Sequence, residues 1–167
     1  MTSTFVAILM GSDSDLPVMQ ATIEILKKFD IEHEVRVRSA HRTPDAAKAY
    51  VKDAEERGCK VFICAAGLAA HLAGAVAGMT TRPVIGVPVD NGPLQGHDAL
   101  LSTVMMPGGI PVATVAIGKA GAKNAGYLAA QILGVSDQTI ADKVKAERVA
   151  NAIALLEKDE AMQAKLS

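Results

Sequence analysis

The spacing of hydrophobic and polar residues along the chain predicts strands that alternate with helices. Short apolar runs, typical of strands in a parallel sheet, occur at 4–10, 61–66 and 84–89. At 31–38 apolar residues alternate with charged ones, which favours an outer strand, and a further strand is predicted at 112–117. The pattern therefore predicts five strands.

Segments with helical spacing separate these strands. Pro17 is tolerated in the first turn of the first helix, and the second has Thr43 as a plausible N-cap and Gly58 as its terminator. The predicted helices span 16–29, 44–57, 67–79, 98–105 and 120–133. Because parallel strands need crossover connections, the alternation predicts an α/β fold with helices on both faces of a parallel sheet.

The last segment, 136–167, has no obvious place in that sheet. Ser136 and Asp137 can cap a helix, and residues such as Val144 and Ile153 give it a sparse apolar stripe among Lys, Glu and Ala. We therefore expect a long C-terminal helix that lies across a neighbouring subunit.

The composition narrows the class of protein. A chain of 167 residues fits a single domain, 1–167. Half of its residues are hydrophobic and 21% are charged, which favours burial of part of the surface against copies of the same chain. No apolar run approaches the roughly 18–20 residues of a membrane span. A net charge of -1 and 3% aromatic residues argue against a nucleic-acid partner.

The cysteines and the amino-terminal residues indicate which cellular compartment to expect for the protein. Cys59 and Cys64 match no metal-ligand spacing and fall in a predicted strand, so we interpret them as reduced core thiols. Residues 1–4 do not form a basic region followed by an apolar stretch and a cleavage site. The expected location is the cytoplasm.

The connection from Ser39 to Pro44 is the strongest candidate for chemistry. In alternating strand and helix proteins, the loops at the carboxyl ends of strands form the ligand crevice. His41 is a candidate general acid and base there, and the guanidinium of Arg42 suits the paired oxygens of a phosphate. Taken singly, each would more often be a solvated loop residue.

A second candidate follows the first strand, where the loop Gly-Ser-Asp-Ser-Asp opens a helix. The backbone N–H groups and the hydroxyls of Ser12 and Ser14 could hold a phosphate, and Asp15 could accept hydrogen bonds from ribose hydroxyls. Helix capping explains the same residues equally well. The loop has neither a Walker nor a dinucleotide spacing.

A third candidate is the run of very small residues at 65–71. It permits either close packing or a close approach of backbone N–H groups to a planar or anionic ligand. We interpret His71, at its end, as an orienting or core residue rather than a second catalyst. His33 is assigned to the surface. For His97 a surface position is favoured over a place in the site. Lys119 is interpreted as a helix-start lysine that helps to structure the site.

Four motifs together give the chain a close resemblance to a known family. They are Met-Gly-Ser-Asp-Ser-Asp at 10–15, Ser-Ala-His-Arg-Thr-Pro at 39–44, Ala-Ala-His-Leu at 69–72 and Ile-Gly-Lys-Ala-Gly at 117–121. The sequence resembles the N5-carboxyaminoimidazole ribonucleotide mutases of de novo purine synthesis, the class I branch of the phosphoribosylaminoimidazole carboxylase family. This implies a three-layer α/β/α flavodoxin-like domain with an extra C-terminal helix, a homo-octamer with shared sites, and no metal or organic cofactor.

The resemblance also implies roles for individual residues. His41 would move protons, and the ribonucleotide would be held by Ser12, Asp15 and Arg42. Ser14 and Ser39 would help to hold its phosphate. We add three residues of the small-residue loop to the expected substrate-binding set: Gly67, Ala70 and His71. The chain departs from the usual family sequence at Ala65, Leu68 and Ala73, and throughout 90–97.

The implied reaction moves a carboxylate from the exocyclic nitrogen of an aminoimidazole ribonucleotide to ring carbon C4. Two alternatives stay open. The first is a direct carboxylase that uses CO2, against which His71 and the 118–121 segment argue. The second is a flavodoxin-like module that binds a nucleotide without catalysis, which would give no reason for His41 beside Arg42. A functional link to the synthetase that makes the unstable carbamate is a further expectation.

Overall fold

The computed structural model describes residues 4–166, which form one five-stranded sheet with every pairing parallel. The strands are β1 Phe5–Met10, β2 His33–Val37, β3 Cys59–Gly67, β4 Val84–Val89 and β5 Ala113–Thr114. Their order across the sheet is β2-β1-β3-β4-β5. The predicted outer strand is therefore the edge strand β2, and the predicted parallel α/β fold is confirmed.

Six α-helices connect or follow these strands within the described residues. They are α1 Leu16–Lys28, α2 Pro44–Arg57, α3 Leu72–Ala77, α4 His97–Val104, α5 Gly118–Gly134 and α6 Gln138–Leu166. A single 3-10 turn at Asp13–Asp15 precedes α1. Gly58 ends α2 in the left-handed conformation at φ 105°, which glycine adopts without a steric penalty.

The central strand β1 shows how the core is divided into two layers. All six of its residues are buried, and successive side chains point to opposite faces of a strand. Val6, Ile8 and Met10 pack with α1 and α5, whereas Ala7 and Leu9 pack with α2 and α3. This produces the predicted three-layer α/β/α arrangement. Cys59 and Cys64 are buried free thiols in the second layer.

Two local predictions were wrong, and a third was right only in part. The helix expected at 67–79 begins only at Leu72, because Gly67 still pairs with Val89 in the sheet and Leu68 turns the chain at φ 55°. The strand expected at 112–117 is reduced to Ala113–Thr114, which pair only with two residues of β4. Thr43 occupies the N-cap position of α2 as predicted, but its side chain makes no capping hydrogen bond, because its hydroxyl is hydrogen-bonded to the backbone of Ser39.

The C-terminal helix α6 is capped as predicted. Asp137 Oδ1 accepts hydrogen bonds from the N–H groups of Thr139 and Ile140, at 2.9 and 3.2 Å. The hydroxyl of Ser136 donates instead to the carbonyl of Leu133, at the end of α5. Within α6 only Val144 is buried. None of the helices formed by residues 4–166 is long and apolar enough to cross a membrane.

Candidate active site at the carboxyl edge of the sheet

A cleft of about 460 Å³ opens at the carboxyl edge of the sheet, between the loops that follow β1, β2, β3 and β4. Parallel strands end at the same edge, so loops distant in sequence meet there. Eight of the predicted site residues line this cleft: Ser12, Ser14, Asp15, Ser39, His41, Arg42, Gly67 and His71. Ala70 is not among the lining residues.

Two imidazoles meet directly in this cleft. His41 Nε2 lies 2.8 Å from His71 Nδ1, and the two rings meet edge to face with centroids 4.9 Å apart. A neutral imidazole has one donor and one acceptor nitrogen, so one ring donates the shared hydrogen and the other accepts it. Both side chains are exposed to the cleft. The contact orients His41 and gives it a neighbour that can exchange a proton.

The loop after β1 forms one wall of the cleft. Ser12 caps the turn by accepting a hydrogen bond from the N–H of Ser14 at 3.3 Å, while its own N–H donates to Asp15 Oδ2 at 3.1 Å. The Ser14 hydroxyl donates to the Ser12 hydroxyl at 2.9 Å. The capping expected from the sequence is therefore present, and it holds both hydroxyls together at the cleft.

Asp15 is the buried acid of the site, with 2% of its surface exposed. Burial raises the pKa of its carboxyl group, and hydrogen bonds from the Ser12 N–H and the Asn91 side chain partly offset this rise. Asn91 Nδ2 donates to Asp15 Oδ1 at 3.2 Å. Both carboxylate oxygens therefore have protein donors and retain further lone pairs for a ligand.

Arg42 connects the loop after β2 to the loop after β1, and Ser39 lies in the loop after β2. The Arg42 guanidinium donates to the carbonyl of Gly11 at 2.8 Å, which anchors its positive charge beside the serine loop. The hydroxyl of Ser39 is buried and accepts a hydrogen bond from the backbone N–H of Arg42 at 3.1 Å. Ser39 thus shapes the loop that carries His41 and Arg42.

The small-residue loop after β3 forms the opposite wall. Ala70 is buried, and its N–H donates to the hydroxyl of Ser102 at 2.9 Å, so this amide is already paired within the chain. Of the three departures from the family sequence at Ala65, Leu68 and Ala73, only Leu68 lines the cleft, with 52% of its surface exposed. Ala65 and Ala73 are buried beneath it.

The remaining candidates lie outside the cleft lining. His97 is exposed, with Nδ1 2.9 Å from the carbonyl of Leu94, and His33 is half-buried on the edge strand. Lys119 is exposed in the first turn of α5. Within residues 4–166, no three His, Cys, Asp or Glu side chains are grouped so that they could hold a metal ion.

Asn91 is the cleft residue that the sequence interpretation missed. It follows β4 at the carboxyl edge of the sheet, and that position is the signal that would have identified it. Its segment, 90–97, was noted only because it differs from the common family sequence. The residue forms no short motif with its neighbours, so its contact with Asp15 is visible only in the folded chain.

A family model described as AIR carboxylase matches residues 5–153. The chain belongs to the AIR carboxylase family. The resemblance deduced from the sequence motifs is thereby confirmed.

Two relatives and a solved structure agree with this assignment. The Thermotoga maritima N5-carboxyaminoimidazole ribonucleotide mutase is 60% identical over 140 residues, which cover 84% of this chain and 81% of that protein. The Bacillus subtilis protein of the same name is 54% identical over 143 residues, 86% of this chain and 88% of the relative. The crystal structure of Treponema denticola PurE matches with a TM-score of 0.85 and 35% identity, covering 94% of this chain and 97% of that one.

Proposed function

We propose that this protein is an N5-carboxyaminoimidazole ribonucleotide mutase, an isomerase of de novo purine synthesis. Relatives at 54–60% identity have this name and are covered over most of their length. The observation that supports the activity best is the contact between His41 and His71 inside the cleft. A module that only bound a nucleotide would not need two imidazoles in contact at its ligand cleft.

The reaction needs one proton to be delivered and another to be removed. Cleavage of the carbamate C–N bond returns an electron pair to the exocyclic nitrogen, which takes up a proton as CO2 is released. Ring carbon C4 then attacks CO2 to form a C–C bond, and loss of the proton on C4 restores the aromatic ring. An imidazole that donates the first proton and accepts the second ends the cycle unchanged.

His41 is assigned to this proton transfer. It lies on the loop that also carries Arg42. A ribonucleotide whose phosphate is bound at Arg42 would therefore have its aminoimidazole ring close to the His41 side chain. His71 acts as the orienting partner, because its Nδ1 is within hydrogen-bond distance of His41 Nε2. A second imidazole there restricts the rotation of the first and provides a place to which a proton can move.

The other walls of the cleft fit the remaining demands of the reaction. The Ser12 and Ser14 hydroxyls and the Arg42 guanidinium bind the phosphate, and Asp15 accepts hydrogen bonds from the ribose hydroxyls. Released CO2 must be held until C4 captures it, which favours a water-poor pocket. Apolar side chains after β3, including Leu68 and Leu72, supply such a wall.

The decisive experiment compares two substrates without ATP or added metal. Purified protein is given the N-carboxylated ribonucleotide at low bicarbonate, or the uncarboxylated ribonucleotide with rising bicarbonate, and formation of the C4-carboxylated product is measured. Fast conversion of the carbamate alone is the expected result. Activity only on the uncarboxylated substrate would replace the proposal with a direct carboxylase, and no activity on either substrate would favour a binding module.

We further propose that the protein is a homo-octamer in the cytoplasm, with a functional link to the synthetase that supplies the unstable carbamate. The support for self-assembly is the exposed apolar surface of α6 and of the C-terminal end of α4. It includes Ile153 and Leu156 on α6, Leu101 on α4 and Met105, the C-cap of α4. The free thiols Cys59 and Cys64 fit a reducing compartment. A monomeric sedimentation profile at working concentration would contradict the octamer.

A further inference from the structure

Asn91 joins two loops of the cleft that come from distant parts of the chain. Its side chain lies against Asp15, which follows β1, and against Gly67, at the end of β3. Asn91 itself follows β4, and two residues with positive φ, Gly92 at 87° and Gly96 at 83°, shape the turn that carries it. The amide therefore connects the end of the fourth strand to the acid of the cleft.

The orientation of this amide is determined by its neighbour. An ionised carboxylate only accepts hydrogen bonds, so the Asn91 NH2 group faces Asp15 Oδ1, at 3.2 Å. The carbonyl oxygen then points the other way, where it is buried and has no hydrogen-bond partner among residues 4–166. Burying an unpaired acceptor costs free energy. Stability alone therefore does not explain an asparagine here.

Gly67 makes room for the same amide. A Cβ atom at this position would lie 2.7 Å from Asn91 Oδ1 and 2.8 Å from its Cγ, closer than real Cβ contacts allow. The glycine is thus required by space rather than by backbone conformation. The amide of Asn91 is held between the Cα of Gly67 and the carboxylate of Asp15, which restricts the position of both polar groups.

We propose that Asn91 is a positioning residue for the ribonucleotide, which holds the Asp15 carboxylate in place so that its free lone pairs meet the ribose hydroxyls. The inference rests on the proposed function and adds to it a residue from the 90–97 segment, where this chain departs from the usual family sequence. Asn91 acts through Asp15 and takes no part in proton transfer. Its loss should consequently affect substrate binding and leave the chemical step nearly unchanged.

The first test uses Asn91→Leu, which keeps the approximate shape of the side chain and removes both the donor to Asp15 and the unpaired oxygen. Asn91→Ala is the second variant, in case the leucine does not fit. Gln95→Asn is the matched control, because it also alters an amide of the same loop, lies outside the cleft lining and has a φ of 52° that asparagine tolerates.

The measurements are kcat and KM on the carbamate substrate, and the affinity for the C4-carboxylated product by calorimetry. We expect KM and the product Kd to rise about tenfold in both Asn91 variants, with kcat changed less than about threefold. The melting temperature of Asn91→Leu should stay close to that of the wild type. The Gln95→Asn control should match the wild type in every measurement.

The pH dependence supplies a readout that a purely structural role would not change. The hydrogen bond from Asn91 lowers the Asp15 pKa, so its removal raises that pKa further. The carboxyl group then becomes neutral at a higher pH and accepts hydrogen bonds from ribose less well. In the variants, the loss of affinity on acidification should therefore begin at a higher pH than in the wild type.

A double-variant cycle tests the packing with Gly67. Gly67→Ala should displace the amide and raise KM as Asn91→Ala does, whereas adding Gly67→Ala to Asn91→Ala should raise KM little further. Unchanged KM, product affinity and pH profile in folded Asn91 variants would overturn the inference, as would a loss confined to kcat. These outcomes are distinct from failure of the proposed function, in which the wild type itself would neither convert the carbamate nor bind the product.

Discussion

The cleft and the outer half of α6, residues 149–166, differ in whether their side chains find partners within the chain. In the cleft, polar groups from several loops pair with one another, as His41 does with His71 and Asp15 does with Asn91. Along the outer half of α6, apolar side chains such as Ile153 and Leu156 are exposed. One chain therefore brings these polar groups of the candidate site together, whereas α6 presents an apolar surface that this chain does not cover.

The inner half of α6, residues 138–148, is hydrogen-bonded to other helices of the same chain. Lys143 donates to Asp30 at 2.8 Å, and Glu147 accepts hydrogen bonds from Lys28 at 2.6 Å and Tyr127 at 3.1 Å. These contacts attach α6 to the C-terminal end of α1 and to the middle of α5. The inner half of the helix is thus attached to its own domain, whereas the outer half has several exposed apolar side chains.

The largest effect is expected from replacing His41, which lies in the cleft. His41→Asn should lower kcat by about 10²–10⁴-fold, because the amide cannot donate and recover a proton as imidazole does. Folding and ribonucleotide binding should be largely retained, as measured by melting temperature and product calorimetry. The control is His97→Asn, an exposed histidine outside the cleft lining. Normal turnover by His41→Asn would remove the proton-transfer assignment.

The second prediction concerns the exposed apolar side chains on the outer half of α6. The pair Ile153→Glu and Leu156→Glu should dissociate the proposed octamer into smaller species, because charges cannot be buried unpaired at an apolar contact. Light scattering after gel filtration measures the mass. Lys158→Glu changes the net charge equally on the same helix without removing an apolar side chain. An unchanged mass for the double variant would show that this surface is not the contact.

A smaller effect is expected at the phosphate wall. Arg42→Lys keeps the positive charge but loses the forked donors, so KM should rise about tenfold while kcat changes little. Steady-state kinetics measure both constants. Arg36→Lys is the control, since Arg36 is exposed on the edge strand and does not line the cleft. Equal KM values for Arg42→Lys and the wild type would argue against phosphate binding by Arg42.

The smallest predicted effect concerns the attachment of the inner half of α6. The hydrogen bond from Lys28 lowers the Glu147 pKa, so the pair stabilises the fold above the carboxyl's unfolded pKa and is lost as pH falls through the lowered folded value. Glu147→Gln should lower the melting temperature by about 1–3 °C at pH 7.

This difference should shrink as the pH falls through the lowered pKa of Glu147, where its carboxyl group becomes protonated in the wild type as well. Glu157→Gln makes the same change in the outer half of the helix and should have no effect at either pH. Melting curves recorded at both pH values decide the matter. A deficit for Glu147→Gln that persisted in acid would assign the loss to packing rather than to the ion pair.

Most of the fold could be predicted from local sequence. The prediction was wrong where the local sequence suits more than one structure. The buried strands β1 and β4 were recognised because apolar runs in a parallel sheet need little long-range information. The start of α3 was misplaced because alanine and glycine at 65–71 suit a strand end, a turn or a helix equally well. Pairing of Gly67 with Val89 decided between them, and that pairing joins two separate strands.

The sequence by itself determined the alternation of strands and helices, the loops that carry His41, Ser12 and Arg42, and the family resemblance. Short-range patterns suffice for these, because capping, strand burial and motif spacing involve residues a few positions apart. Only the tertiary structure decided that His41 contacts His71 and that Asn91 holds Asp15. The order β2-β1-β3-β4 decides which loops meet at the cleft, and that order is a property of the whole folded sheet.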